Sequence, residues 1–422
     1  MAHRDNRPHP WQYIKSFAKW SLLGLLMGAI GGCMGAFFHH TLHFVTHLRQ
    51  ENGWLIWLLP LAGLLTVGLY RVTRLRSNRG TNEIIDAVLD GHPVKPQIAP
   101  VIFCSTVLTH LFGGSAGREG AALQLGGSTA SMLGRLFKLG AEDRKVMVMC
   151  GMSAVFAGLF GTPLTAALFC MEFESVGTLF SPALLPCYLA AFTASSISGL
   201  FGVHAEGMLL ESVTAITLNN VWKFALLAVL LSLLGTGMCH FFHKAEHLAS
   251  HRIKNPWLRI VLGGLFVAIM TAIAGDQRFN GAGMDMALVA VEGNADWYSF
   301  LVKMLFTAVT LAAGFKGGEI VPTFCIGATF GCVAGSLLGL DAGLCGALGL
   351  VGLFCCATNS PFASIVLSIE MFGSRNLHLF ALVCVVCFVL SGNRGLYSSQ
   401  IIQFHKASTL LDEESKLFIR RK

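Results

Sequence analysis

Apolar stretches long enough to cross a membrane follow one another along the whole chain. Of its 422 residues, 54% are hydrophobic and only 13% are charged, about half the charged fraction of a soluble domain. A spanning helix needs about 20 mostly apolar residues. Such stretches begin near Ser21, Trp54, Val101, Val146, Pro182, Val221, Ile260, Phe300, Leu344 and Phe380. Several are too long for one pass or are interrupted by glycines, which predicts roughly ten or more helices, some of half length. We therefore expect an all-α, polytopic membrane protein rather than a cytosolic enzyme, a nucleic-acid-binding protein or a secreted disulfide scaffold.

The basic residues predict how the chain enters the membrane. The net charge is +7, and the segment before the first span, 1–17, is basic. It leads directly into that span, as a cytoplasmic N-terminus does. We expect a cell-membrane protein with both termini cytoplasmic. The segment 401–422 is predicted to be a short cytoplasmic tail, too short for a folded regulatory domain.

Internal repetition divides the chain into two halves. Residues 31–47 read GGCMGAFFHHTLHFVTH, and 235–251 read GTGMCHFFHKAEHLASH, so that seven residues recur 204 positions later. GREGAA, which contains Glu119, recurs as GGEIVP, which contains Glu319. TPLTAALFCMEF likewise recurs as SPFASIVLSIEMF. The same blocks in the same order predict two structural repeats, 18–205 and 220–400.

The two repeats are predicted to have opposite orientations. The segment before the second repeat, 203–220, contains no lysine or arginine, whereas 71–95 and 244–259 are basic. By the positive-inside rule the repeats then enter the membrane from opposite faces. Inverted repeats of this kind build a substrate site near the midplane from broken helices. The pattern therefore indicates a transporter architecture.

The stretch GGSAGREGAALQLGGS at 113–128 places an acidic residue inside an apolar region. Its small residues predict a helix that begins at Glu119. A helix N-terminus offers free N–H donors and a partial positive charge, which suit an anion. The Glu119 carboxylate can take the anion's place and leave it when protonated, so one side chain can act as gate and proton carrier. The alternative is a structural ion pair between Arg118 and Glu119.

A second stretch, GFKGGEIVPTFCIGATFG at 314–331, repeats this arrangement. Its glycines, Glu319 and Pro322 predict another helix N-terminus within the membrane. Glu319 is the counterpart of Glu119, and Lys316 provides an alternative structural partner that would neutralise it. Tyr397 follows the last apolar span. It is either an interfacial anchor or a hydroxyl donor aimed inward at an anion.

Two further patterns suggest metal or redox chemistry, and both have simpler explanations. His39, His43 and His47 share one helix face at a spacing that suits metal ligation or a proton relay, but helix-end residues at the membrane interface show the same pattern. Cys384 and Cys387 form a lone CxxC inside an apolar run, which favours a buried structural role. We expect no metal and no cofactor.

These motifs resemble the CLC family of chloride channels and anion/proton antiporters across essentially the whole chain. GREGA at 117–121 is similar to the family's GREGP, and the order of the later motifs also fits. The resemblance implies a homodimer of inverted repeats with a separate anion path in each subunit. It also implies that Glu119 is the gating glutamate and that Tyr397 lines the inner anion site.

Departures from the chloride-type motifs resemble the fluoride-exporting CLC-F branch. The family's GSGIP element is replaced by Asn78-Arg79-Gly80-Thr81-Asn82, and Glu319 stands where that branch carries an acidic residue. The proton-transfer glutamate of the antiporters falls at Phe173. Val321 departs from the branch, which tends to have threonine there.

The resemblance implies fluoride/proton antiport, with chloride transport by the same fold as the alternative. The implied substrates are fluoride or chloride and protons, in a lipid bilayer and with no nucleic acid bound. Besides Glu119 and Glu319, the expected anion-binding residues are Gly117, Arg118, Gly120, Ala121, Ile320, Val321, Tyr397 and Asn82. An intramembrane enzyme with a His110–Ser115 dyad is the remaining hypothesis, although the chain lacks the GxSxG and HExxH motifs.

Overall fold

The computed structural model is almost entirely helical. It describes residues 9–75, 79–204, 207, 210, 214–215, 217–403 and 406. Within these residues are sixteen α-helices, two short 3-10 helices and one pair of two-residue strands. Six helical segments are long and apolar enough to cross a membrane, and shorter apolar helices accompany them. The predicted all-α, multi-pass architecture with half-length helices is confirmed.

The first eight helices form one group. They are α1 Pro10–Glu51, α2 Leu59–Val72, α3 Thr81–Asp90, α4 Ile98–Leu111, α5 Glu119–Leu136, α6 Ala141–Phe160, α7 Pro163–Glu172 and α8 Leu184–Leu200. The 3-10 helices are Gly53–Leu58, before α2, and Ser181–Ala183, before α8. Proline stands in the first turn of α1, α2 and α7, where a missing N–H costs no hydrogen bond.

The second eight helices form a matching group. They are α9 Val221–Arg252, α10 Pro256–Ala274, α11 Met284–Val291, α12 Ser299–Ala313, α13 Ile320–Leu337, α14 Ala342–Thr358, α15 Pro361–Phe372 and α16 Leu377–Leu390. Helices α5 and α6 pack together as α13 and α14 do, and α8 packs on α1 and α6 as α16 packs on α9 and α14. The two groups therefore have the same internal arrangement.

Glycines allow the central helices of each group to approach backbone to backbone. A Cβ on Gly126 of α5 would collide with the Gly151 carbonyl of α6. A Cβ on Gly327 of α13 would collide in the same way with the Gly349 carbonyl of α14. Close contacts between small residues are a common way for membrane helices to associate. Because of them, α5 and α13 lie at the centre of the protein, and most of their side chains are buried.

Two glutamates join α7 to α15 at both ends. The Glu172 carboxylate, at the end of α7, accepts hydrogen bonds from the N–H groups of Phe362 (3.1 Å) and Ala363 (2.8 Å) in the first turn of α15. Glu370 of α15 accepts from Leu164 (2.9 Å) and Thr165 (2.8 Å) in the first turn of α7. Each helix thus satisfies the free N–H groups of the other, and the two helices run antiparallel.

The segment after α16 folds back onto the first group of helices. Ile401–Ile402 forms a strand, β2, that pairs in parallel with β1, Ser175–Val176. Gln400 Nε2 donates to the carbonyls of Phe173 (2.6 Å) and Thr358 (2.8 Å). Ser399 donates its main-chain N–H to Asn82 Oδ1 (3.0 Å). These contacts tie the end of the second repeat to the first.

Regular elements begin within both predicted terminal segments. Helix α1 begins at Pro10, so that 10–17, within the predicted segment 1–17, is helical. The predicted tail, 401–422, begins with β2. Residues 1–8, Asn78, much of 205–216 and 407–422 lie outside the described residues.

Candidate functional site

Two helix N-termini meet at the centre of the protein. Gly117 precedes α5 and Gly318 precedes α13, and the two form an antiparallel bridge. The Gly117 N–H donates to the Gly318 carbonyl (2.7 Å), and the Gly318 N–H donates to the Gly117 carbonyl (2.8 Å). Helix α5 begins at Glu119 and α13 at Ile320. Both start where the glycine-rich motifs predict a helix N-terminus.

The Glu119 side chain is folded back onto the start of its own helix. The residue is completely buried, and Oε1 accepts a hydrogen bond from the Arg118 N–H (3.1 Å). A Cβ built on Gly117 or Gly318 would collide with the carboxylate. Oε2 is buried without a hydrogen-bond partner among the described residues. The carboxylate therefore occupies the position that an anion would take in front of the N–H groups of α5.

The Arg118 guanidinium points to another part of the site. Nη1 lies 3.4 Å from His39 Nδ1, and the group stacks over the Phe160 ring, 5.0 Å from its centroid. The main-chain N–H of Arg118, not its guanidinium, donates the described hydrogen bond to Glu119.

Glu319 occupies the N-cap position of α13, but its side chain makes no capping hydrogen bond there. It stands one residue before the first turn and is partly exposed to a cavity. Lys316 lies over the Tyr70 ring, with Nζ 5.0 Å from the centroid. In the described part of the chain no ion pair shorter than 4.0 Å joins Lys316 to Glu319. The geometry does not provide the neutralising pair considered as an alternative for Glu319.

A cavity of about 660 Å³ reaches the bridge from one side; we call it the Arg49 cavity. It is lined by the last turns of α1, by the loop before α11, and by Arg118 and Val321 at its floor. A second cavity of about 310 Å³, the Tyr397 cavity, is lined by residues including Asn82, Gln124, Glu319 and Tyr397.

Residues close to Glu119 in the chain line both cavities. Arg118 lines the Arg49 cavity and Gln124 lines the Tyr397 cavity, whereas Glu119 itself lines neither. The two linings share no residue. The buried carboxylate therefore lies next to residues that open to two separate cavities.

Tyr397 faces the interior of the protein. It is 5% exposed, and its hydroxyl is buried without a partner among the described residues. Its ring packs edge-to-face on Phe173, with 5.7 Å between centroids. An interfacial anchor would place its hydroxyl at the membrane surface. This geometry instead fits the inward hydroxyl donor.

The remaining expected residues lie around the same centre. Gly120 and Ala121 form the first turn of α5, and Ile320 and Val321 form that of α13; all four are buried. Asn82 lines the Tyr397 cavity, but its Oδ1 accepts the Ser399 N–H. The structure thus brings the expected residues together. The side-chain oxygen of Asn82 is already used by a hydrogen bond from the C-terminal segment.

Two polar residues that the sequence interpretation did not select lie beside this centre. Thr81 is buried, and its Oγ1 lies 3.0 Å from the position of a Cβ built on Gly120. Gln124 donates from Nε2 to the Gly120 carbonyl (3.0 Å), while its Oε1 is buried without a partner among the described residues. A lone glutamine within AALQLGGS was the available signal for Gln124.

The described residues form neither the His110–Ser115 dyad nor a metal-binding group of side chains. Ser115 Oγ contacts Thr307 Oγ1 (3.0 Å) and Lys303 Nζ (3.1 Å), whereas His110 Nδ1 contacts the Thr106 carbonyl (3.0 Å). The proposed dyad is therefore not formed. Over the residues the structure describes, no three His, Cys, Asp or Glu side chains group as metal ligands, which includes the histidines of α1.

The fold and this centre define a class of protein. Two matching groups of membrane helices, in which broken helices meet N-terminus to N-terminus at a buried acid near two cavities, are typical of anion channels and transporters. The sequence profile described as voltage gated chloride channel matches residues 64–392. The chain belongs to this family, the CLC family, whose members are channels and transporters rather than enzymes.

The similarity to individual relatives extends over nearly the whole chain. A chloride/fluoride channel protein of Pseudomonas syringae pv. tomato is 34% identical over 97% of this chain and 92% of its own length. The crystal structure of a CLC-type fluoride/proton antiporter superposes with a TM-score of 0.89 at 32% identity, covering 94% of this chain and 100% of that one. A slow cyanobacterial Cl⁻/H⁺ antiporter shares the fold, with a TM-score of 0.75 at 20% identity, covering 91% of this chain and 95% of that one.

Proposed function

We propose that the protein is a proton-coupled fluoride exporter in which Glu119 competes with the anion and carries the proton. The observation that carries this proposal is the position of the Glu119 carboxylate. It is buried against Gly117 and Gly318 at the start of α5, next to residues that line the Arg49 and Tyr397 cavities. A group in this position blocks the anion path as long as it stays there.

Protonation of the Glu119 carboxylate weakens the attraction that holds it at the helix N-terminus. An ionised carboxylate is held by the N–H groups and partial positive charge of the helix terminus, and a neutral one loses most of that attraction. Oε2 has no hydrogen-bond partner among the described residues and can take a proton without breaking one. The protonated side chain then leaves the terminus to the anion, and its return releases the proton. One side chain thereby couples the two movements.

The neighbouring residues have complementary roles in this proposal. The main-chain groups of Gly117, Arg118, Gly120, Ala121, Ile320 and Val321 surround the anion at the two helix N-termini. The unpartnered Tyr397 hydroxyl supplies a donor from the Tyr397 cavity, and Asn82 lines the same cavity. Glu319, also on this cavity, handles the anion or the proton on that side.

Fluoride is favoured over chloride by similarity and by the departures from the chloride-type motif. The relatives at 32–34% identity are named for fluoride as well as for chloride or protons. The replacement segment that includes Gly80 and Asn82 lines the cavity, together with an acidic residue at Glu319. Fluoride is small and strongly hydrated, so its dehydration requires closely placed donors.

A flux assay with simultaneous pH recording tests the coupling. The protein in liposomes loaded with potassium fluoride should release fluoride and take up protons in a fixed ratio. Glu119→Gln should abolish coupled exchange, because an amide cannot alternate between charged and neutral forms. Glu292→Gln, at an exposed helix end, is the control and should retain it. Unchanged fluoride/proton coupling in Glu119→Gln would contradict the role given to Glu119.

Chloride transport by the same fold is the second candidate, because 22–25% identical relatives are named as H⁺/Cl⁻ exchange transporters. The same liposomes loaded with potassium chloride decide between the two anions. Faster chloride than fluoride movement would make this protein a chloride channel or chloride/proton antiporter.

We also propose that the protein is a homodimer in the cell membrane, with an anion path in each subunit and both termini in the cytoplasm. The CLC fold supports this assembly. Light scattering of the detergent-solubilised protein, corrected for bound detergent, should give twice the chain mass of 45.3 kDa. A monomer under conditions that preserve transport would contradict the dimer.

A further inference from the structure

Two buried cations that the proposed transport cycle does not use lie next to Gly281, a residue that lines the Arg49 cavity. Arg49, near the end of α1, also lines the cavity and is 3% exposed, and Lys303, on α12, is completely buried behind it. The Arg49 Nη2 is 3.4 Å from a Cβ built on Gly281, and the Lys303 Nζ is 2.7 Å from the Gly281 carbonyl oxygen. Two positive charges are thus held close together away from bulk water.

The Arg49 guanidinium has unused hydrogen-bond donors. Nε and Nη1 are buried without an acceptor among the residues that the structure describes, although the side chain lines the cavity. No carboxylate in that part of the chain lies within 4.0 Å of it. Asp285, the acid whose charge acts on Arg49, is exposed at the first turn of α11.

Lys303 has hydrogen bonds but no counter-charge. Its Nζ donates to the carbonyls of Gly281 (2.7 Å) and Phe279 (3.1 Å) and to Ser115 Oγ (3.1 Å). All three acceptors are neutral. A buried charge that no opposite charge compensates is costly, so the electrostatics around Gly281 favour an anion.

Arg278, another cation that lines the Arg49 cavity, is already paired. Arg278 contacts Asp276 (3.2 Å) and Asp296 (2.8 Å) and donates to the Tyr298 hydroxyl (2.8 Å). Arg278 is therefore neutralised by the protein itself, in contrast to Arg49.

Buried His110 also lines the cavity. Its Nδ1–H donates to the Thr106 carbonyl. Nε2 of the neutral ring is therefore an acceptor and cannot donate to an anion.

We propose that the Arg49 cavity binds a small monovalent anion, of the halide class, at the Arg49 guanidinium. This site is separate from the one at the helix N-termini, where Glu119 lies. It shares a cavity with Arg118 and Val321, and therefore holds an anion on the route to or from the bridge. The binding requires only the donors and the positive charge of the guanidinium. It does not depend on the proposed transport of fluoride.

Bromide provides a direct probe because its anomalous scattering identifies it in crystals. Crystals of the full chain soaked in a concentration series of sodium bromide should show an anomalous peak within hydrogen-bonding distance of the Arg49 guanidinium. Arg49→Gln should lose this peak. Arg278→Gln, the matched control on the same cavity, and Glu119→Gln should both keep it. A wild-type map without the peak would overturn the proposal whether or not any variant folds.

Solution measurements separate a real site from binding at crystal concentration only. Bromide or fluoride, compared with gluconate at equal ionic strength, should raise the thermal unfolding midpoint, since a ligand that binds the folded state stabilises it. The shift should shrink in Arg49→Gln and persist in Arg278→Gln. A peak that appears only at the highest soak and equally in Arg49→Gln is an adventitious ion only, and overturns the proposal.

Discussion

Glycines surround Glu119 because its folded-back carboxylate leaves no volume for other side chains. We expect Gly318→Ala to displace the carboxylate or separate the two helix tips, since its Cβ would lie 2.7 Å from the Gly120 nitrogen. Overpacking of this kind costs about 1–3 kcal/mol, and anion exchange should fall with it. Thermal unfolding in detergent and liposome flux measure both effects.

The control for this substitution is Gly237→Ala. A Cβ on Gly237, within α9, would meet no atom within 4 Å. Alanine is a better helix former by about 1 kcal/mol, so this variant should be as stable as the wild type or slightly more so, with unchanged flux. Equal behaviour of the two variants would contradict the tight packing described at Gly318.

Substitution of Tyr397 is expected to reduce transport without reducing stability. Its hydroxyl has no partner in the described structure, so Tyr397→Phe should not lower the free energy of unfolding appreciably. If the hydroxyl donates to the anion, the loss of one charge-assisted hydrogen bond should reduce anion flux about tenfold. Tyr13→Phe, at an exposed position of α1, should change neither quantity. Full transport by Tyr397→Phe would remove the hydroxyl from the anion path.

Sequence patterns could identify Glu119, Glu319 and Tyr397 because each is polar within an otherwise apolar context. They could not show that Tyr397 is buried, since an anchor and an inward donor have the same local sequence. Thr81 was not selected because its importance comes from α3 meeting Gly120, a contact between distant parts of the chain.

At the scale of elements, α7 and α15 depend on each other's acidic residues. Each helix is short, and N–H groups of its first turn donate to the glutamate of the other helix. Replacing Glu370 with glutamine removes the charge and one acceptor from Leu164 and Thr165. Hydrogen bonds to charged groups contribute about 1.5–3 kcal/mol, so we expect a loss of about 1–3 kcal/mol in unfolding free energy.

Glu172→Gln should produce a similar loss, because Glu172 makes the equivalent pair of hydrogen bonds to α15. Glu292→Gln serves as the exposed control. Denaturation in detergent at several urea concentrations measures all three variants. If neither Glu172→Gln nor Glu370→Gln lowers the free energy of unfolding, then water accepts hydrogen bonds from these N–H groups equally well.

The starts of α5 and α13 were predictable from sequence because glycine clusters, an acid and a following apolar run are local signals. The reciprocal contacts of Glu172 and Glu370 were not, although both lie in the recognised repeat motifs. A carboxylate that caps a helix nearly 200 positions away has no sequence spacing that distinguishes it from one that faces a cavity or a cation.

At the scale of the whole molecule, the proposed inversion of the two repeats predicts where particular residues meet water. Gln12, in the first turn of α1, and Asn219, just before α9, are both exposed. If α1 and α9 are counterparts in oppositely oriented repeats, single cysteines at these positions should react with a membrane-impermeant maleimide from opposite sides. Gln12→Cys should be labelled only after the cell membrane is opened, and Asn219→Cys in intact cells.

The background for this measurement is the chain with its exposed Cys33 and Cys104 replaced by alanine. Labelling of both positions from the same side would contradict the inverted arrangement. Labelling from the two sides in the reverse order would keep the arrangement and place the termini outside.

The return of the last segment to β1 has a consequence for how the protein is made. Gln400 donates to the Phe173 carbonyl, Ile401–Ile402 pairs with β1, and the Tyr397 ring packs on Phe173. All sixteen described helices precede these residues in the chain, so they can insert before the phenol is fixed in place. A nascent chain stalled before this segment has both groups of helices but an undocked phenol.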